Sequence, residues 1–185
     1  MSLRVITKPT VEPVTVDDVK LHSRIDSDIE DTLIQSWITS AREQAEGFQR
    51  RAYLQQTLEL SFDYFPKLPL SLSMSPVISV DSIKYYDYQN AEISIDLTDF
   101  IIDLDSEPAR IAHAYGKSWP SVTLREINAV KITYKAGYGT TAADVPETVK
   151  DAILFYCAWR NENRIEEVKF PEAFFNLLRP DRMYQ

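Results

Sequence analysis

The sequence predicts an α+β fold, a small α-helical core with a β-rich insertion between its helices. Three observations carry this. Apolar residues recur at intervals of three and four between positions 29 and 48, which marks one face of a long helix. Alternating apolar and polar residues then fill positions 54–140 in short runs broken by turn residues. Finally Ala152-Ile153-Leu154-Phe155-Tyr156-Cys157-Ala158-Trp159 reads as helix but lacks the polar face of an ordinary surface helix. The expected organisation is a single domain over 1–185, with a helical core from 13–53 and 143–179 and the β-rich insertion at 54–140. The core should hold two N-terminal helices, one central apolar helix and one short C-terminal helix.

Residues 1–14 are expected to be extended, because Pro9 and Pro13 restrict them to strand, polyproline or turn. Thr15 is a good N-cap, and Asp17 and Asp18 suit the first turn of a short amphipathic helix carrying Val16, Val19 and Leu21. That helix should fade near Ser23-Arg24. The acids of Asp26-Ser27-Asp28-Ile29-Glu30-Asp31 read as the N-terminal capping of the long helix. Its stripe is Ile29, Leu33, Ile34, Trp37, Ile38, Ala41, Ala45 and Phe48, and Arg50-Arg51 closes it in keeping with the helix dipole.

The period then changes to two. Leu58, Leu60, Phe62 and Tyr64 alternate with polar residues as a half-buried strand. Pro66, Pro69 and Pro76 punctuate the next segment. Val77-Ile78-Ser79-Val80 and the stretch from Ile83 to Tyr88 supply further strand material, with a hairpin turn at Gln89-Asn90-Ala91-Glu92 before Ile93-Ser94-Ile95. Phe100 to Leu104, Ala109 to Ala112 and Ala129 to Tyr134 are the later strands. Pro146 stands at the start of the apolar helix, where its missing N–H costs nothing, and Asn161-Glu162-Asn163-Arg164 ends that helix. Pro171 opens a last short helix, Glu172 to Leu178, striped by Phe170, Phe174, Leu177 and Leu178, with Phe175 pointing elsewhere. Arg179-Pro180 should stop it.

The totals narrow the function classes. The 185 residues carry a net charge of −8 and are 44% hydrophobic and 26% charged. An acidic balance argues against a protein whose main work is gripping nucleic acid, which needs clustered Lys and Arg. It suits a surface that DNA passes without sticking. The one cysteine, Cys157, leaves no disulfide framework, and no apolar leader follows Met1. The apolar run is too short for a membrane span, which needs about 20 residues.

The motifs of common chemistry are incomplete. Gly116-Lys117-Ser118 resembles the end of a phosphate-binding loop, but Ile111 stands where that loop needs its first glycine. Asp26, Asp28, Glu30 and Asp31 resemble a calcium loop, but Asp31 and Trp37 occupy its glycine and glutamate positions. His22 and His113 have no ligand partner at metal spacing, and Cys157 in an apolar helix reads as a small core residue. Asp103 and Asp105 read as solvated turn residues. Tyr85, Tyr86 and Tyr88 read first as sheet packing and second as a binding platform. No enzyme activity, cofactor, catalytic residue or metal site is expected.

The ordered features together resemble a known family. They run from Val14-Thr15 and Arg24-Ile25-Asp26 into the Trp-containing helix, then through Phe62-Asp63-Tyr64-Phe65-Pro66 and Ser75-Pro76-Val77. They continue with the stretch from Asp103 to Ile111, then Tyr134-Lys135-Ala136-Gly137-Tyr138-Gly139, and Val145-Pro146-Glu147 opening the apolar helix. The set is similar to the tailed-phage head–tail connectors, also called head-completion or adaptor proteins of phages and prophages. The resemblance implies a structural protein of the virion neck, made in the host cytoplasm and assembled as a homo-oligomeric ring of about twelve copies under the portal. It implies the portal protein above, a downstream neck or tail-completion protein below, and DNA passing through the centre without sequence-specific binding. The competing readings are a DNA-packaging or DNA-binding accessory protein, supported by Arg50, Arg51, Arg160, Arg164, Arg179 and Arg182, and a small hydrolase.

The expected interface follows from apolar residues in excess of what one helix face needs. The central helix should pack on the 29–48 face through Ile153, Tyr156, Cys157 and the stem of Arg160. Phe155 and Trp159 on its other side are candidates for a neighbouring copy or the β section. Phe174, Phe175, Leu178 and Arg179 of the last helix are candidates for the portal contact. Exposed Phe155 and Trp159 would make the helix a ring contact; buried, they would leave the ring to the β section and the tail.

Overall fold

The computed structural model describes residues 1–164 and 171–183. Among them are four α-helices and two antiparallel sheets, an α+β fold. The chain folds as two compact units, Met1–Lys8 with Gln55–Gly137 and Pro9–Leu54 with Tyr138–Gln185. The first unit is built from strands and the second from helices.

The strand unit grows outward from one long pairing. Strands β2 (Gln56–Phe62) and β8 (Val130–Ala136) run antiparallel from Gln56 opposite Ala136 to Phe62 opposite Val130. Their alternation is real: Leu58, Leu60, Val130, Ile132, Tyr134 and Ala136 are all buried, while Glu59, Lys131 and Thr133 take the other face. Strand β1 (Ser2–Thr7) lies outside β2, and β4 (Val77–Tyr86) followed by β5 (Glu92–Ile95) lies outside β8, giving the order β1-β2-β8-β4-β5. The smaller sheet has the order β3-β7-β6, from Leu70–Ser71, Arg110–His113 and Phe100–Asp103.

Three strand expectations change here. The pieces on either side of Asp81 are one ten-residue strand, β4, whose register against β8 slips between Val77 and Ser79 and again between Val80 and Ser82. The extra residues let polar Ser79 and Asp81 sit outside the regular alternation without ending the strand. Tyr64 is exposed because pairing stops at Phe62, so the alternation has no sheet to serve beyond it. The proline-punctuated segment contributes β3, two residues long, which pattern alone does not reveal.

Phe65, Tyr85, Phe100, His113 and Trp119 form an aromatic cluster in this unit. Phe65 stacks on Trp119 at 4.9 Å, Phe100 stacks on His113 at 5.5 Å, and Trp119 Nε1 donates to Pro66 O at 2.9 Å. His113 is thus a packing residue. Tyr85 is buried on the core face, Tyr86 lies on the opposite face under the Arg125 guanidinium at 3.8 Å, and Tyr88 is exposed.

In the helical unit, α1 (Val16–Ser23) starts with a reciprocal cap. Asp18 N donates to Thr15 Oγ1 at 3.1 Å while Thr15 N donates to Asp18 Oδ2 at 2.8 Å. The helix stops where Arg24 turns left-handed at φ 55°. Its expected stripe is narrower than the sequence suggests: Val19 is fully buried, but Leu21 is 83% exposed.

Helix α2 (Asp31–Gln49) buries Ile34, Trp37, Ile38, Ala41 and Ala45. Ile29 lies before its first turn and is 93% exposed, so it drops out of the stripe. The acids ahead of it do not cap: Glu30, the N-cap residue, makes no side-chain cap bond. Asp28 and Asp31 instead accept the Lys20 ammonium, at 2.9 Å for Asp31, and Glu30 accepts Arg164. A full cation is a stronger partner for a carboxylate than a backbone N–H. At the other end Arg50 takes the left-handed C-cap at φ 57°, and Arg51 folds inward to donate from Nε to Asp181 O at 2.7 Å. The pair closes the helix through backbone shape and tertiary bonding, not through the dipole.

Helix α3 (Glu147–Glu162) contributes Val149, Ala152, Ile153, Tyr156 and Cys157 to the same core. It packs against α1, α2 and α4 (Glu172–Leu178), so three helices of its own unit cover it. Phe170, expected in the α4 stripe, lies outside the described residues.

Burial pushes the Cys157 thiol up to about 12. In folded protein near about pH 8, a thiol reagent should therefore leave Cys157 unmodified. Denaturant should then release one reactive thiol per chain, because the sequence holds a single cysteine. Rapid labelling without denaturant would contradict this packing.

Candidate interaction site

The expected contact residues lie on α3, on α4 and on the 3₁₀ turn Arg179–Asp181 that continues α4. Their burial separates them. Phe174 and Leu178 are fully buried and belong to the core with Tyr53, Ile34 and Cys157. They hold α4 down, and their side chains are enclosed within their own unit. Phe175 is half-buried, 4.7 Å from the Phe48 ring and 5.3 Å from Phe174. Phe155 and Trp159 are half-buried against the core, Trp159 lying 6.1 Å from Tyr156. Arg179 is exposed. Each of Phe155, Trp159 and Phe175 thus spends part of its surface on its own unit and keeps part outside.

A buried polar chain underlies this surface. Arg42 Nε donates to Glu12 Oε2 at 2.7 Å, and its Nη1 donates to Glu46 Oε2 at 2.9 Å. Tyr53 N donates to Glu46 Oε1 at 3.0 Å, and Tyr53 Oη donates to Gln49 Oε1 at 2.7 Å. Gln49 Nε2 then donates to Leu178 O, the last residue of α4, at 2.6 Å. Met183 N returns to Gln49 O at 3.0 Å. Burial pushes the Glu46 carboxyl above the ordinary carboxylate range, while Arg42 and the Tyr53 N–H pull it back. Reading the apolar stripe missed this chain. The available signal was Arg42 and Glu46, four residues apart and adjacent to Ala41 and Ala45 on the same helix.

The arginines of the DNA-binding reading are dispersed in role. Arg51 serves Asp181 O, Arg164 pairs with Glu30 and lies 5.5 Å from the Trp37 ring, and Arg182 lies 4.5 Å over Phe48. Arg50, Arg160 and Arg179 are exposed. Gly116-Lys117-Ser118 is an exposed turn whose Lys117 pairs with Asp99 at 2.5 Å. Arg110 and the Ser106 hydroxyl hold the Asp103 carboxyl down to about 2, so Asp103 organises its turn beyond simple solvation. His22 is exposed. Among the described residues no three His, Cys, Asp or Glu side chains gather as a metal site, and no helix is long and apolar enough to cross a membrane.

The sequence profile of the family described as Phage gp6-like head-tail connector protein matches residues 13–105, just over half of the chain. The chain belongs to this family. The match opens just before α1 and runs through α2 and the strands as far as β6, so it spans parts of both compact units. As a head–tail connector the protein has a structural role at the head–tail junction. The connector also shares its fold with chains in solved particles. One, from the "Neck of empty GTA particle computed with C6 symmetry", aligns with a TM-score of 0.84 at 19% identity over 100% of this chain and 97% of that one. Chains from the "Virion of native gene transfer agent (GTA) particle" and the "Neck of native GTA particle computed with C12 symmetry" align at 0.81 and 0.78, with the same identity and coverage. No curated protein matches the connector.

Removing one side of the buried polar chain should cost far more than removing an exposed pair. Arg42→Ala removes the guanidinium that offsets the buried Glu46 charge, and chemical denaturation should report a loss of about 3–5 kcal/mol. Arg4→Ala, which breaks an exposed pair with Glu59, should cost less than about 1 kcal/mol. Equal losses for the two would contradict the assigned role of Arg42.

Proposed function

We propose that the connector is a ring-forming adaptor that sits on the portal and receives the next neck or tail-completion protein on its other side, with DNA passing through the ring. Twelve copies form the ring. The observation that carries this reading is the whole-chain likeness to a neck chain in a particle computed with C12 symmetry, joined to the family match. The role is architectural: the protein performs no catalysis and needs no cofactor. Its work is to present two different contact patches to its neighbours, as a head-to-tail ring requires. The helical stretches 13–53 and 143–179 act as the core of one domain and 54–140 as its insertion. The net charge of −8 lets DNA slide past without adhering.

The portal contact falls on Phe175 and Arg179, the two of the four expected contact residues that keep accessible surface. Phe155 and Trp159 add the half-buried aromatic part of α3. The test is sedimentation of the full chain with the portal ring of its own particle. The chain should co-sediment with the portal. Arg179→Glu should weaken that binding at least tenfold while leaving stability within about 0.5 kcal/mol, as expected for an exposed position. A chain that sediments apart from the portal and instead shifts duplex DNA at low salt would favour the DNA-binding reading.

A further inference from the structure

A groove of about 650 Å³ runs between α1 and α3 in the helical unit, walled by the 3₁₀ turn Ala142–Asp144. Buried Pro13 and Val14, half-buried Ala142 and Leu154, and exposed Leu21 line it with apolar surface. Leu21 is a leucine that its own core does not use, 83% exposed on a short helix. The wall is set in advance. Thr141 N donates to Asp144 Oδ2 at 2.9 Å, and Thr141 Oγ1 donates to the same oxygen at 2.8 Å, so the turn caps itself. A Cβ on Gly139 would lie 2.2 Å from that oxygen and 2.6 Å from Asp144 Cβ, so glycine is what lets the turn close here. A surface built in advance loses little freedom when a partner binds.

Charge sets this groove apart from a plain apolar one. Asp18, Glu147 and Asp151 stand on it, with Lys150 and His22. Lys150 is committed to Glu147 at 2.7 Å, and the Asp18 carboxylate is committed to Thr15 at 2.7 and 2.8 Å. Asp151 is exposed, and its carboxylate has no hydrogen-bond or ion-pair partner among the described residues. The same holds for Asp17, one turn before Leu21 on the same face of α1. Each helix therefore sets a free carboxylate beside a leucine with open surface: Asp17 with Leu21, and Asp151 with Leu154.

Such a surface fits an apolar segment that carries lysine or arginine, and it repels phosphate, which rules out DNA as the occupant. A second copy would have to bring a free cation beside an apolar side chain. Arg179 and Phe175, four residues apart, are such a pair on this chain, and in the reading above the portal takes them. We infer that the groove between α1 and α3 receives the next neck protein, through a segment that sets apolar side chains on Leu21 and Leu154 and basic ones on Asp17 and Asp151. This rests on the adaptor reading above and names the site of its second partner. The apolar contact supplies affinity, and the two carboxylates select the partner.

The test adds the purified neck protein that follows the connector in its own particle to portal rings already carrying the full-length connector, and follows its binding by sedimentation. Leu21→Glu and Asp151→Lys, both at exposed positions, should each weaken that binding at least tenfold while the connector still co-sediments with the portal. Asp151→Asn should fall between the unmodified chain and Asp151→Lys, and added salt should weaken binding of the unmodified chain. Unchanged binding in both charge-changing variants, with the portal contact intact, would overturn the groove assignment and leave the adaptor reading standing. Loss of ring formation or of portal binding, with the neck protein still held, would give the groove to a second copy or to the portal and overturn the assignment too. A neck protein that ignores the unmodified portal–connector ring would overturn both.

Discussion

The helical unit depends on keeping Arg42 satisfied. A guanidinium buried on the apolar side of α2 is tolerable only with carboxylates on both sides, and Glu12 and Glu46 provide them. That requirement fixes more than one helix. Glu12 belongs to the segment leading into α1, so the pair anchors that segment to α2. Glu46 accepts the Tyr53 N–H, which sets how the chain leaves α2, and Tyr53 passes the constraint through Gln49 to the end of α4. The segment before α1, helix α2 with its exit, and the end of α4 are thereby held by one hydrogen-bonded chain. The apolar core of Ile34, Ile38, Ile153 and Phe174 supplies bulk stabilisation, and the polar chain supplies the geometry.

This economy of polar groups suits an architectural protein. The carboxylates and cations that a sequence scan singles out are mostly engaged in holding elements together: Asp18 in a cap, Asp28 and Asp31 on Lys20, Glu30 on Arg164, Asp103 on Arg110. Membership in a head–tail connector family agrees with that use of side chains.

Much of the fold was legible because its signals are local. The α4 limits, the hairpin at Asn90 and the β2–β8 alternation follow from proline, turn residues and period. The missing parts were decided by tertiary partners. β1 is a strand only because β2 offers it an edge, and β4 is continuous only because β8 tolerates its bulges. The acids before α2 look like caps until Lys20 and Arg164 are brought beside them. The candidate contact residues were half legible: aromatic residues on short helices announce burial or display equally, and only the packed structure assigns Phe174 and Leu178 to the core while leaving Phe175 and Arg179 at the surface.

The central claim is that many copies of this chain form a closed ring at the head–tail junction. It is tested most directly by electron cryo-microscopy of the neck of the particle that this connector serves, reconstructed without imposed symmetry. A closed ring of twelve copies against the portal is expected, as in a neck computed with C12 symmetry. A neck that lacks the chain, or holds it as isolated copies out of contact with one another, would contradict it.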